Sequence, residues 1–149
     1  MAQHLGYRFL DTGAMYRAVA WAAIKRRIDL DDVEALARLA SDISVRLLDG
    51  DAGDRLTIDG REVTDYLREP EVERGVSLVA KVPGVRSAMV QQQQAIAGEG
   101  PIVMAGRDIG TVVLPRARVK IFVKELKKLL ITQQYILGQK LLKLCLFNF

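Results

Sequence analysis

Apolar residues run almost without interruption through residues 102–105 (IVMA) and 119–123 (VKIFV). Such runs are typical of the central strands of a parallel sheet, whose two faces are both covered by other elements. A shorter apolar stretch at residues 7–10 predicts a further strand. The pattern therefore predicts strands near both ends of the first 123 residues.

Helical segments separate these strands. Helices are predicted at residues 12–27, 32–41, 70–81 and 83–97, and residues before Gly6 resemble the end of another helix. Asp31 or Asp32 is expected to cap the second of these helices, and Pro83 breaks the last two apart. Because strands and helices alternate along the chain, the fold class is predicted to be α/β.

Residues 44–66 show a different pattern from their surroundings. Short alternating runs at residues 44–48 and 56–58 are followed by Asp59-Gly60 and then by another alternating run. An Asp-Gly pair between alternating runs is a strong signal of a tight β-hairpin. This segment is therefore predicted to form a small antiparallel insert.

The composition changes abruptly after Val123. Residues 124–149 contain no Ala, Val, Asp or Arg, and they carry the whole net charge of +4, since the first 123 residues have equal numbers of basic and acidic side chains. We interpret residues 124–149 as a tail unrelated to the rest of the chain, translated from foreign or out-of-frame DNA. The alternative is a genuine helix with one apolar face, formed by Leu126, Leu130, Leu137, Leu141 and Leu144.

The first 123 residues have no net charge. They therefore give no reason to expect a nucleic-acid partner.

The composition also excludes several kinds of site. The single cysteine, Cys145, rules out an internal disulfide framework, and with one histidine a Cys/His zinc site is not expected, so no metal site is predicted. No apolar run reaches the roughly 20 residues of a transmembrane helix. The N-terminus lacks the features of a secretory signal, so a cytoplasmic protein without membrane contact is expected.

Two similar motifs carry the candidate chemistry. Residues 11–17 (DTGAMYR) and 106–111 (GRDIGT) each follow a predicted strand, contain a glycine and present an arginine. Ligands of α/β sheets bind just beyond the carboxyl ends of the strands. An arginine at that place is suited to bind a phosphate or a carboxylate through two parallel hydrogen bonds.

These motifs, together with VS at 76–77, VA at 79–80 and PGVR at 83–86, resemble bacterial cytidylate kinase, a P-loop nucleoside monophosphate kinase. The resemblance covers about residues 1–123. It implies a partial P-loop kinase-like parallel sheet with helices on both faces, whose first strand is missing. It assigns residues 1–43 and 77–123 to the kinase core and residues 44–76 to a monophosphate-binding insert.

The resemblance also implies the roles of individual residues in phosphorylating CMP or dCMP from ATP and Mg²⁺. Arg17 and Arg107 match positions that bind the substrate phosphate. Ser77, Arg86 and Asp108 match positions that recognise cytosine, and the acceptor pocket is lined by Thr12, Gly13 and Tyr16. CMP or dCMP and ATP are the implied partners, and the intact family is expected to be monomeric.

The sequence departs from this family at two places. It contains no Gly-rich loop ending in Gly-Lys, which would bind the ATP phosphates, and residues 124–149 contain no lid arginine. We therefore expect a fragment of a (d)CMP kinase that keeps the acceptor-binding half and is inactive alone, with no identifiable catalytic residue. A non-catalytic CMP-binding remnant and another small-molecule kinase of this fold are the alternatives.

Overall fold

The computed structural model describes residues 2–48 and 55–122 and the backbone of residues 143–147. Helix α1 (Ala2–Leu5) ends at Gly6, whose φ of +64° favours glycine, as the sequence predicted. The helices that follow are α2 (Thr12–Lys25), α3 (Val33–Asp42), α4 (Pro70–Val79) and α5 (Pro83–Gly98). They lie where the sequence predicted them, with ends that differ by one or two residues.

The main sheet contains strands β1 (Arg8–Asp11), β5 (Ile102–Gly106), β6 (Val119–Phe122) and β7 (Lys143–Phe147). The strand order is β1-β5-β7-β6, and β1 runs parallel to β5. The predicted α/β class is confirmed. The prediction of parallel neighbours is correct for β1 and β5, whereas β7 pairs antiparallel with both β5 and β6.

Strand β7 bears on the two predictions for the tail. Leu144 lies in this strand, so its assignment to an apolar helix face is wrong; the other four leucines of that face lie outside the described residues. Strands β5 and β6 do not pair with each other, and the intervening β7 supplies hydrogen-bonding partners to both. The foreign origin of residues 124–149 stays a prediction.

The predicted antiparallel insert forms a second sheet of β2 (Val45–Leu48), β3 (Arg55–Ile58) and β4 (Arg61–Glu62). Asp59 and Gly60 connect β3 to β4 with φ angles of 51° and 81°, the positive values of a tight hairpin turn. A 3₁₀ turn at Thr64–Arg68, which the sequence analysis did not anticipate, leads to α4.

Trp21 on α2 holds the insert against the core. Its ring stacks on that of Tyr66 with centroids 5.8 Å apart, and the guanidinium of Arg61 lies 5.5 Å from the Trp21 ring centroid. Cation–π and stacking contacts of this kind add to the free energy gained by burying the ring. The insert is therefore attached to the helix that also carries residues 12–17.

Helix α5 is connected to the end of α3 by one side chain. The Gln92 amide nitrogen donates to the carbonyl oxygens of Ala40 and Ile43 at 3.3 and 2.9 Å, and its oxygen accepts from the backbone N–H of Val45 at 2.8 Å. These bonds satisfy backbone groups at a helix end, which otherwise lack partners.

None of the described helices is long and apolar enough to cross a membrane.

Two glycines of α5 give a matched test of this packing. A Cβ at Gly84 would lie 2.5 Å from the Ala37 Cβ of α3, whereas a Cβ at Gly98 would meet no atom within 4 Å. We expect Gly84→Ala to lower the free energy of unfolding by about 1–3 kcal/mol through overpacking. Gly98→Ala is expected to be neutral or to stabilise by up to about 1 kcal/mol. Urea unfolding of both variants measures this, and equal stabilities would contradict the close packing of α3 on α5.

Candidate functional site

The two arginine-bearing motifs meet because β1 and β5 are parallel and end together. Asp11 pairs with Ala105 in the register, so the chain leaves both strands at the same edge of the sheet. The Thr12 hydroxyl donates to the Ala105 carbonyl at 3.0 Å. A Cβ at Gly106 would collide with the Thr12 hydroxyl and with Ile109, so this approach requires glycine. The two motifs therefore lie side by side at one edge of the sheet.

Asp11 fixes the start of α2 and the direction of Arg17. One Asp11 carboxylate oxygen accepts from the Gly13 backbone N–H and the other from the Arg17 guanidinium, both at 2.9 Å. The Arg17 side chain is only 14% exposed, and its Nε lies 3.9 Å from a carboxylate oxygen of Glu73. Within the described parts of the chain this buried Nε has no hydrogen-bond partner. Arg17 is thus held in place while keeping one N–H unsatisfied.

Arg86 and Asp108 form the second ion pair of the site. Arg86 lies in the first turns of α5, and Asp108 follows β5 in the loop before a π-helical turn at Ile109–Val113. The guanidinium donates to one Asp108 oxygen at 2.7 Å, and the two side chains are 41% and 29% exposed. Both groups therefore retain surface that a ligand can reach.

Tyr16 lies among these charges. Burial raises the pKa of Tyr16 above its ordinary value; the positive charges of Arg86 and Arg107 lower it, and the negative charge of Asp108 raises it. Burial has the largest effect, so the hydroxyl stays neutral and able to donate a hydrogen bond at neutral pH. Tyr16 on α2 is therefore close to Arg86 on α5 and to Arg107 and Asp108 in the loop after β5.

The remaining predicted residues differ in their placement. Gly13 lies in the first turn of α2, where a Cβ would approach Asp11 and Arg17. Arg107 is exposed next to Asp108. Ser77 is exposed on α4, and within the described residues its hydroxyl makes no hydrogen bond to Arg86 or Asp108.

The sequence patterns did not indicate Asp11 and Glu73 as members of the site. The signal for Asp11 was available, since an aspartate directly before a helix is a typical N-cap. Glu73 gave no such signal, because its proximity to Arg17 arises only when α4 packs against α2. Among the described residues no group of three or more His, Cys, Asp or Glu side chains could hold a metal ion.

Comparison with known proteins identifies relatives of this chain. A family model described as cytidylate kinase matches residues 1–129. A cytidylate kinase of Pelotomaculum thermopropionicum is 51% identical over 123 residues, which cover 82% of this chain and 54% of that protein. One from Ligilactobacillus salivarius is 49% identical over 122 residues, covering 82% and 54% of the two chains.

A longer relative matches in the same way. A bifunctional pantoate ligase/cytidylate kinase of a Synechococcus species is 49% identical over 125 residues, covering 82% of this chain and 23% of that protein. The chain spans about half the length of the single-function relatives it matches.

The environment of Tyr16 predicts a late titration. Because burial disfavours the phenolate, the folded chain should hold the Tyr16 proton to higher pH than the unfolded chain does. The stability linked to this proton is fully present below the unfolded-state pKa and is lost as the pH rises through the folded-state pKa. The difference in absorbance near 295 nm between wild type and Tyr16→Phe isolates this titration. A midpoint at or below that of the denatured chain would contradict the buried environment.

Proposed function

Because the chain belongs to the cytidylate kinase family, we propose that it provides the acceptor-binding part of an ATP-dependent (d)CMP kinase. In that reaction a phosphate oxygen of CMP or dCMP attacks the γ-phosphorus of ATP, and ADP leaves. The single observation that carries the proposal is the convergence of Tyr16, Arg86, Arg107 and Asp108 at one edge of the sheet. The reaction would serve pyrimidine nucleotide metabolism in the cytoplasm.

Arg17 and Arg107 bind the phosphate of the acceptor in this proposal. Arg17 is fixed by Asp11, and its guanidinium supplies the positive charge that a phosphate requires. Arg107 is exposed, and no ion pair of its side chain occurs within the described parts of the chain. Phosphoryl transfer depends mainly on positioning and on charge stabilisation, so guanidinium groups held before the substrate arrives suit this task.

Asp108 and Arg86 recognise the cytosine, with Ser77 as a third contributor. A carboxylate accepts from the exocyclic amino group of cytosine, and a guanidinium donates to ring and carbonyl acceptors. Uracil presents a carbonyl oxygen in place of the amino group, which would face the Asp108 carboxylate without a hydrogen bond. Thr12, Gly13 and Tyr16 line the pocket in which the nucleotide lies.

ATP and Mg²⁺ complete the reaction. In this proposal Mg²⁺ is bound with ATP, at the ATP phosphates. These 149 residues contain no Gly-rich loop ending in Gly-Lys. We therefore assign to them the binding of CMP, within a core of residues 1–43 and 77–123 and an insert of residues 44–76, as a monomer.

A non-catalytic CMP-binding protein is the second candidate, favoured by the same lack of a Gly-Lys loop in the sequence. Titration calorimetry of the 149-residue chain distinguishes the two. CMP binding with no ATP binding supports the second candidate, and binding of both with formation of CDP supports the kinase. Tighter binding of AMP or UMP than of CMP would exclude the cytosine assignment and leave a small-molecule kinase of another specificity.

The role of Asp108 is tested with a substrate that lacks the base. We expect Asp108→Ala to weaken CMP binding about tenfold or more, because a hydrogen bond to a charged group is lost, and to change ribose 5-phosphate binding little. Arg107→Ala should weaken the binding of both CMP and ribose 5-phosphate. Asp42→Ala is the control, since Asp42 is exposed at the end of α3. If Asp108→Ala weakens the binding of CMP and of ribose 5-phosphate equally, Asp108 does not recognise the base.

A further inference from the structure

A cavity of about 240 Å³ lies between the core and the insert. Its core side is formed by the end of β1 and the start of α2, and its insert side by β3 and the 3₁₀ turn at Thr64–Arg68. The polar side chains that line it are those of Asp11, Arg17, Thr64 and Arg68. Two guanidinium groups from separate parts of the fold therefore line one cavity.

The charged side chains of this cavity differ in the hydrogen bonds and ion pairs that they make. Each Asp11 carboxylate oxygen already accepts a hydrogen bond, from Gly13 and from Arg17. The Arg17 guanidinium donates to Asp11, and its Nε lies 3.9 Å from a carboxylate oxygen of Glu73. Within the same parts of the chain, the exposed Arg68 makes no ion pair or hydrogen bond through its side chain. Among the described residues, the unpaired cation of the cavity is thus Arg68, whose N–H donors suit an anion that carries several acceptor oxygens.

We propose that Arg68 is a further ligand of the acceptor's phosphate, binding it from the insert while Arg17 and Arg107 bind it from the core. This inference rests on the proposed function and extends it. A cavity of about 240 Å³ is smaller than the roughly 300–1,000 Å³ of ordinary ligand pockets, so it suits a phosphate and adjoining sugar better than a whole nucleotide.

The first turns of α2 join this cavity to the base-reading groups. Ala14 and Arg17 line the cavity, while Tyr16 lies near Arg86 and Asp108. Successive residues of a helix point in directions about 100° apart, so the first turns of α2 present Arg17 to the cavity and Tyr16 to Arg86 and Asp108. In this proposal the base extends from the phosphate toward Asp108. A phosphate bound by both arginines also connects the insert to the core.

Thr64 adds to this arrangement by fixing the turn that carries Arg68. Its hydroxyl accepts from the Leu56 backbone N–H at 3.0 Å, which ties the start of the 3₁₀ turn to β3. Arg68 is the last residue of that turn, so its backbone position is set by the insert. The site thus requires the insert to be docked on α2.

The test compares Arg68→Gln with Arg46→Gln in the 149-residue chain, using titration calorimetry with CMP and with cytidine. Arg46 is an exposed arginine on β2 of the same insert and does not line the cavity. We expect Arg68→Gln to weaken CMP binding about tenfold or more and to leave cytidine binding unchanged. Arg68→Lys, which keeps the charge but loses the planar fork, should recover part of the loss. Arg46→Gln should bind both ligands as wild type does.

Failure of this inference and failure of the proposed function give different results. If Arg107→Ala loses CMP affinity while Arg68→Gln binds CMP as wild type does, the role of Arg68 is overturned and the proposed function stands. If the wild-type chain binds CMP no more tightly than cytidine, both are overturned. Equal losses of CMP and cytidine in Arg68→Gln, with unchanged far-ultraviolet circular dichroism, would also overturn a phosphate-specific role.

Discussion

The parallel pairing of β1 with β5 is the constraint on which the site depends. The register from Arg8 with Ile102 to Asp11 with Ala105 makes both strands end at one edge. The hydrogen bond from Thr12 to Ala105 and the close approach at Gly106 then fix the distance between the two loops. Residues separated by about ninety positions in the sequence become neighbours only through this pairing, since each loop alone presents a single arginine.

Carboxylates hold two arginines of the candidate site in fixed positions through ion pairs. Asp11 holds Arg17, and Asp108 holds Arg86, at 2.9 and 2.7 Å. A partly buried arginine without such a partner would leave its charge uncompensated, which is costly. With a partner it is oriented before a ligand binds, so less conformational entropy is lost on binding. The same pairing leaves Arg68 and Arg107 as the cations of the site that have no ion pair within the described residues.

Local signals in the sequence predict much of this arrangement. Asp32 caps α3, Asp59 and Gly60 make the hairpin, and the apolar run at 102–105 becomes β5. The position of β7 was not predictable, because a strand's partners depend on which edges the folded core leaves open. The pairs of Arg17 with Asp11 and Glu73 likewise depend on cap geometry and on the packing of α4. The sequence therefore predicted the helices, the hairpin and β5, but it could not predict these contacts between side chains.

The most direct test of the account is the response of backbone amides to CMP. Two-dimensional ¹⁵N–¹H spectra of the 149-residue chain, recorded during titration with CMP, report on both loops at once. The account predicts that residues 11–17 and 106–111 shift together, with one shared affinity, and that AMP shifts them less. Shifts confined to one loop, or equal responses to AMP and CMP, would contradict a single cytidine monophosphate site built from the two strand ends.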